Sequence, residues 1–187
     1  MTTKIFFVRH GDVVNPNKIW YGRLPGFSLS STGKKQIRKT AQILAKNSID
    51  AIYTSPLLRT KQSAMIIADT LHLPVNYSDN LLEVDSSLQG NTFDYITTHW
   101  PKMIIYSSSE NKIRGETIEQ LSERIRKFII KINKSHPGKN IVAVSHGDPI
   151  MIAKAHTEKL PIKLEALRPA KGYIQKGEVY LAEFNSQ

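Results

Sequence analysis

The chain has 187 residues, of which 40% are hydrophobic and 22% charged, with no cysteine and a formal net charge of +10. That length suits a single domain, 1–187, with a sizeable core, and the lack of cysteine excludes disulfides and thiolate chemistry. No apolar run approaches the ~20 residues needed to span a bilayer. The short apolar segment after Met1 stops at Arg9, so no signal peptide is read and a cytoplasmic protein is expected.

In chain order, residues 4–8 read as a short buried strand ending in Arg9-His10-Gly11-Asp12. A long polar loop with Gly and Pro follows, GDVVNPNKIWYGRLPGFS, and loops of that length are often functional. Ser30 or Ser31 caps a helix to about Lys46. A second strand, AIYT at 51–54, leads into Ser55-Pro56, which reads as a helix start with Ser at the cap and Pro in the first turn. That helix runs to about Leu71, and PVNYS is a third strand. From Leu81 to Gly115 the pattern is weak, with one helix expected near Phe93–His99.

Thr117 and Gln120 form a capping box for a helix striped by Ile118, Leu121, Ile125, Phe128, Ile129 and Ile132. IVAVS, ending at Ser145, is the clearest strand, and Pro149 starts a helix directly after His146-Gly147-Asp148. The C-terminal GYIQKGEVYLAEF reads as a hairpin turning near Lys176-Gly177. Strands alternating with helices imply an α/β fold: a three-layer sandwich with a mostly parallel central sheet and helices on both faces.

Two strands thus end in His-Gly-Asp. In an open parallel sheet ligands bind beyond the carboxyl ends of the strands, which puts His10 and His146 at one rim. Gly11 and Gly147 let backbone approach a ligand, and the helix after Asp148 turns its free N–H groups to the same place. The helix after the second strand brings Arg59 there, beside Arg9. Always-charged guanidinium groups bind phosphate oxygens bidentately. A neutral imidazole is a nucleophile able to form a phosphoenzyme, and neighbouring arginines keep His10 neutral. Among the carboxylates, Glu83 is the candidate proton donor for a leaving alkoxide.

The stretches RHG (9–11), TSPLLRTKQSA (54–64), LLEVDSSLQGNTFD (81–94) and VSHGDP (144–149) resemble, in order and spacing, the histidine phosphatase superfamily in its phosphoglycerate-mutase-like branch. RGETIEQLSER (114–124) is similar to the family's Gly-Glu-Ser/Thr helix start. The resemblance implies that His10 accepts the phosphoryl group, that Arg9, Arg59 and His146 bind it, and that Glu83 donates the proton; Asn15, Arg23 and Gly147 join them as substrate-binding candidates. Val13 stands where the family often has a hydroxyl residue, Asn15 is displaced by one residue, and Arg23 is assigned to the non-reacting part of the substrate.

The expected activity is a metal-independent phosphomonoester phosphatase acting through a phosphohistidine on a small phosphorylated metabolite, with no cofactor. The alternative is a phosphoglycerate mutase primed by 2,3-bisphosphoglycerate; the segment TTHWPKMIIYSSSENKIRGE lacks the paired arginines of the true mutases, which favours hydrolysis. A basic nucleic-acid-binding module is the distant alternative. The cations Lys34, Lys35, Arg38 and Lys39, and Arg124, Arg126, Lys127 and Lys131, are read instead as solvated helix faces. Neither nucleic acid nor membrane is an expected partner, and monomer and dimer are both left open. Asp12 and Asp148 could join the histidines as metal ligands, but the basic neighbours argue against gathering a cation, and Asp148 is read as a helix cap. His72, His99, His136 and His156 are read as structural or surface residues, and Trp20 and Tyr21 as pocket or core.

Overall fold

The computed structural model describes residues 1–100, 105–169 and 171–185. Five strands form one sheet in the order β3-β2-β4-β1-β5. β1 (Thr2–Arg9), β2 (Ala51–Thr54), β3 (Val75–Tyr77) and β4 (Asn140–Ser145) run parallel, and β5 (Val179–Asn185) lies antiparallel to β1 at one edge. Residues alternate across a strand, so β1 feeds two cores. Ile5 and Phe7 face one, Phe6 and Val8 the other.

On one face lie α1 (Ser31–Leu44) and α2 (Leu58–Leu71), burying Ile37, Ala41 and Leu44 and Ala64, Ile67 and Ala68. On the other lie α4 (Ile118–Ser135) and α5 (Gly147–Thr157). This is the expected three-layer α/β sandwich. The short α3 (Phe93–His99) and α6 (Leu164–Leu167) sit in the connections over the carboxyl ends of the strands. Helix α4 buries Leu121, Ile125, Phe128, Ile129 and Ile132 of the expected stripe, with Ile118 only partly buried, and Phe128 packs edge-on to Phe7 at 6.3 Å and Tyr53 at 6.0 Å. Its capping box is present on both sides, Thr117 to Gln120 and back.

Three local expectations are corrected. Ser30 caps α1, but that helix stops at Leu44 rather than Lys46. Ser55-Pro56 does not open α2: the helix starts at Leu58 after Leu57, with no side-chain cap. The Ser55 hydroxyl is taken instead by His146 Nε2, at 2.9 Å. Nor do the last residues form a hairpin, for only Val179–Asn185 is a strand. The first arm is drawn over the end of β1, where the Ile174 carbonyl accepts from Arg9 at 2.7 Å and the Tyr173 hydroxyl donates to Asp148 at 2.6 Å. Those bonds displace strand pairing.

Register decides what reaches the site. Arg9 pairs with Ser145, and Thr54 with Val144. Just beyond, the His10 amide bonds the Ser145 carbonyl at 3.1 Å and the Ser55 amide the Val144 carbonyl at 3.0 Å. Three neighbouring strands therefore release His10, His146 and Ser55 at one rim. Removing the side-chain half of the capping box, Thr117→Ala is expected to cost about 1 kcal/mol. In urea the midpoint should fall while the slope stays constant; an unchanged midpoint would show that the cap contributes nothing.

Candidate active site

His10 and His146 are buried, with ring centroids 5.3 Å apart and planes at 64°. Arg59, equally buried, bridges them. Its Nε donates to His10 Nε2 at 3.3 Å, and its Nη2 donates to His146 Nδ1 at 3.1 Å and to the Gly22 carbonyl at 2.7 Å. The guanidinium also lies over the Tyr21 ring, 4.6 Å from its centroid, and Tyr21 in turn stacks on Phe27. The stack holds a cation whose burial is otherwise unfavourable.

These contacts assign the tautomers. A carbonyl only accepts, so the 2.7 Å bond between His10 Nδ1 and the Gly11 carbonyl places the proton on Nδ1. Nε2 then carries a lone pair aimed at the guanidinium. For His146, Nδ1 accepts from Arg59, so Nε2 donates to Ser55. Burial, then Arg59, holds both imidazoles well below the ordinary histidine range, and both are neutral near pH 7. Gly11 is required here: a Cβ would meet the Gly33 carbonyl oxygen at 2.5 Å.

Arg9 reaches the same cavity. One terminal nitrogen is tied to the Ile174 carbonyl and its plane faces Tyr173, yet its buried Nε has no partner. A buried N–H without an acceptor is costly, and a phosphate oxygen would satisfy it. The cavity, about 350 Å³, is lined by Arg9, His10, Glu83 and Asp148, with aromatic walls from Trp20, Tyr21, Phe93 and Tyr173.

Glu83 is half-buried at the cavity, and one carboxylate oxygen accepts from the Val84 amide at 3.0 Å. Burial first, then the negative charge of Asp148, raises its pKa, against Arg59 and Arg9, which lower it. A carboxyl beside a cleft whose pKa is raised is better suited to donate a proton than an ordinary carboxylate.

Two of the substrate-binding candidates are placed otherwise than expected. Asn15 folds its loop, bonding the Ile19 carbonyl at 2.8 Å and the Ile19 amide at 3.2 Å, which uses both ends of its amide. Arg23 donates to the Glu83 carbonyl at 2.7 Å and pairs with Glu116 at 3.2 Å. Together with Arg124, which also donates to the Glu83 carbonyl, it anchors the segment bearing the acid. Gly147 is occupied from above: a Cβ there would lie 2.0 Å from the Tyr173 hydroxyl.

Asp148 is not a cap either. His146 holds the cap position of α5, and the Asp148 carboxylate accepts from Tyr106, Tyr173 and Arg168, each at 2.6 Å. Burial opposes its ionisation, but Arg168 and the two hydroxyls outweigh that and hold its pKa below the ordinary value. Sequence reasoning missed Tyr106, Arg168 and Tyr173. No spacing marks them, since they come from two separate connections. Val13 is buried against Leu29 and gives the cavity no hydroxyl. His136, His156 and His99 bond Tyr53, Ser122 and the Tyr95 carbonyl, and His72 ends α2, so all four are structural as expected.

The family description "Histidine phosphatase superfamily (branch 1)" matches residues 5–184, nearly the whole chain. The chain belongs to the histidine phosphatase superfamily. Relatives within reach of sequence comparison include phosphoserine phosphatase 1 of Hydrogenobacter thermophilus, 31% identical and covering 79% of this chain and 72% of that one. A probable phosphoglycerate mutase of Yersinia enterocolitica is also 31% identical, covering 77% and 69%. In three dimensions the chain superposes on a mycobacterial glucosyl-3-phosphoglycerate phosphatase with a TM-score of 0.82 at 22% identity, covering 98% of this chain and 91% of that one. Among histidine phosphatases, then, this chain shares its fold with proteins named for phosphatase and for mutase activity.

With His10 as the expected nucleophile and Glu83 as the expected proton donor, turnover requires His10 neutral and Glu83 protonated. The first condition fails only well below pH 6.5, the second above a pKa raised from 4.5. A bell-shaped pH profile of kcat/KM follows. Asp148→Asn removes a charge that raises the Glu83 pKa, so the alkaline limb should move to lower pH while the acid limb stays. Comparing variant with parent on one substrate cancels the substrate's own ionisation. An unmoved alkaline limb would contradict the assignment of Glu83 as the acid.

Proposed function

We propose that the chain is a metal-independent phosphomonoester phosphatase that works through a phosphohistidine at His10. The observation that carries the reading is the fixed tautomer of His10: Nδ1–H is spent on the Gly11 carbonyl, leaving Nε2 as a lone pair among arginine N–H groups. A phosphate entering the cavity takes the Arg59 and Arg9 donors. Drawing Arg59 off Nε2 frees the nucleophile.

Nε2 attacks phosphorus as the ester P–O bond breaks, and the leaving oxygen takes the Glu83 proton. The Gly11 carbonyl accepts from Nδ1–H as the ring gains positive charge. In the second half Glu83, now a carboxylate, removes a proton from water as its oxygen attacks phosphorus. The N–P bond breaks, the lone pair returns to Nε2, and inorganic phosphate leaves. Arginines, His146 and the site's fixed dipoles stabilise the equatorial oxygens, so no step calls for a metal. Among the described residues no cluster of three or more His, Asp or Glu side chains is placed to hold one.

The mutase outcome, in which phosphate returns to a second hydroxyl, is the second reading, favoured by the mutase-named relative. It requires the site to hold a bisphosphorylated intermediate, yet Arg9 and Arg59 are the guanidiniums beside His10 without a carboxylate partner, enough for one phosphate. The partner is accordingly read as a small phosphate ester met in the cytoplasm, with nucleic acid and membrane not expected. Among the described residues no helix is long and apolar enough to cross a membrane.

With p-nitrophenyl phosphate, His10→Ala should lose all turnover, EDTA should leave the rate unchanged and vanadate should inhibit. A fully active His10→Ala variant would refute the reading, and loss of activity with EDTA would refute its metal independence. Supplied with 3-phosphoglycerate and a trace of 2,3-bisphosphoglycerate, the protein should release inorganic phosphate; accumulation of 2-phosphoglycerate would favour the mutase instead.

A further inference from the structure

The pairing of charges around the cavity limits what the rest of the substrate can carry. Arg168 is paired with Asp148 at 2.6 Å. Lys176 is paired with Asp12 at 2.5 Å, and Arg23 with Glu116 at 3.2 Å. Among the described residues that line the cavity the cations are Arg9 and Arg168. Arg168 is already paired, so once Arg9 and the neighbouring Arg59 hold a phosphate dianion no unpaired lining cation remains for a second anionic group.

Beyond His10 the cavity wall is aromatic, formed by Trp20, Tyr21, Phe93 and Tyr173 with Pro169. Phe93 opens α3 at the mouth with 36% of its surface exposed, an aromatic ring left for a ligand to cover. The charge of Arg168 in this wall is already neutralised by Asp148. The cavity, about 350 Å³, is at the small end for ligand sites, room for a compact molecule.

We propose, building on the phosphatase reading, that the substrate is the phosphate monoester of an uncharged alcohol bearing a flat ring. The phosphate sits on Arg9 and Arg59, and the ring lies against Trp20, Phe93 and Tyr173. Alcohols carrying a carboxylate or a second phosphate are disfavoured, because Asp148 stands beside the wall and its counter-ion is already committed.

The test compares phosphates of four primary alcohols, so that leaving-group strength contributes little: benzyl phosphate, glycerol 3-phosphate, O-phosphoserine and 3-phosphoglycerate. The kcat/KM for benzyl phosphate should exceed the other three by roughly tenfold or more, the scale of one well-placed aromatic contact. Phe93→Ala should lower the ratio of benzyl phosphate to glycerol 3-phosphate. Asp148→Asn, which frees Arg168, should raise 3-phosphoglycerate relative to benzyl phosphate. Equal or better turnover of the carboxylate-bearing esters, or ratios unmoved by both variants, would overturn the ring assignment while leaving the phosphatase intact. Failure of the parent protein on all four and on p-nitrophenyl phosphate would overturn the phosphatase reading, and this one with it.

Discussion

Arg59 is a full positive charge buried between two imidazoles with no carboxylate beside it. Such a charge is costly unless every donor finds an acceptor. Here the acceptors are His10 Nε2, His146 Nδ1 and the Gly22 carbonyl, and the Tyr21 ring covers the open face. The arrangement holds only if both histidines are neutral, since an imidazolium has no lone pair to offer. Folding and chemistry thus impose one condition on the same atoms. The protonation state that lets Arg59 be buried is the one the proposed attack requires of His10.

That constraint is met because the sheet is parallel and in register. β1, β4 and β2 end side by side, and each delivers one member of the set within a residue of its last ladder bond. A slip of one residue would turn each strand's side chains to the opposite face. It would separate Arg59 from His10 as surely as it would move Phe7 from one core into the other. The two cores on either side of the sheet therefore set the geometry of the site as well as the stability of the fold. The acid is fixed differently. Glu83 lies in a connection, and its backbone is clamped by Arg23 and Arg124, both tied to Glu116. Burial first and then the charge of Asp148, itself saturated by three donors, raise the Glu83 pKa, while Arg168 and two hydroxyls lower that of Asp148, so the two carboxyls are shifted in opposite directions.

What the sequence discloses depends on how local each feature is. His10, His146 and Arg59 are legible because strand ends and a helix first turn place them, and short apolar runs mark those elements. Glu83 is legible as a carboxylate just past the third strand. Asn15 bonds within its own loop and Arg23 bonds the Glu83 segment, and a side chain that holds a loop looks in sequence like one that reaches a ligand. Asp148 was read as a cap from its place before Pro149, when its partners come from Tyr106, Arg168 and Tyr173. The unmade hairpin has the same origin: a turn signal at Lys176-Gly177 is local, whereas the pull of Arg9 and Asp148 on residues 173 and 174 is tertiary.

The account stands or falls on a covalent bond from phosphorus to His10 Nε2. Rapid quenching during turnover of a phosphate-labelled ester, followed by peptide mapping, tests it most directly. The label should be found on the peptide containing His10, stable in base and lost in acid as expected of an N–P bond, and it should disappear in His10→Ala. Turnover with no label on that peptide, or label resting on an acid-stable oxygen ester elsewhere, would contradict it.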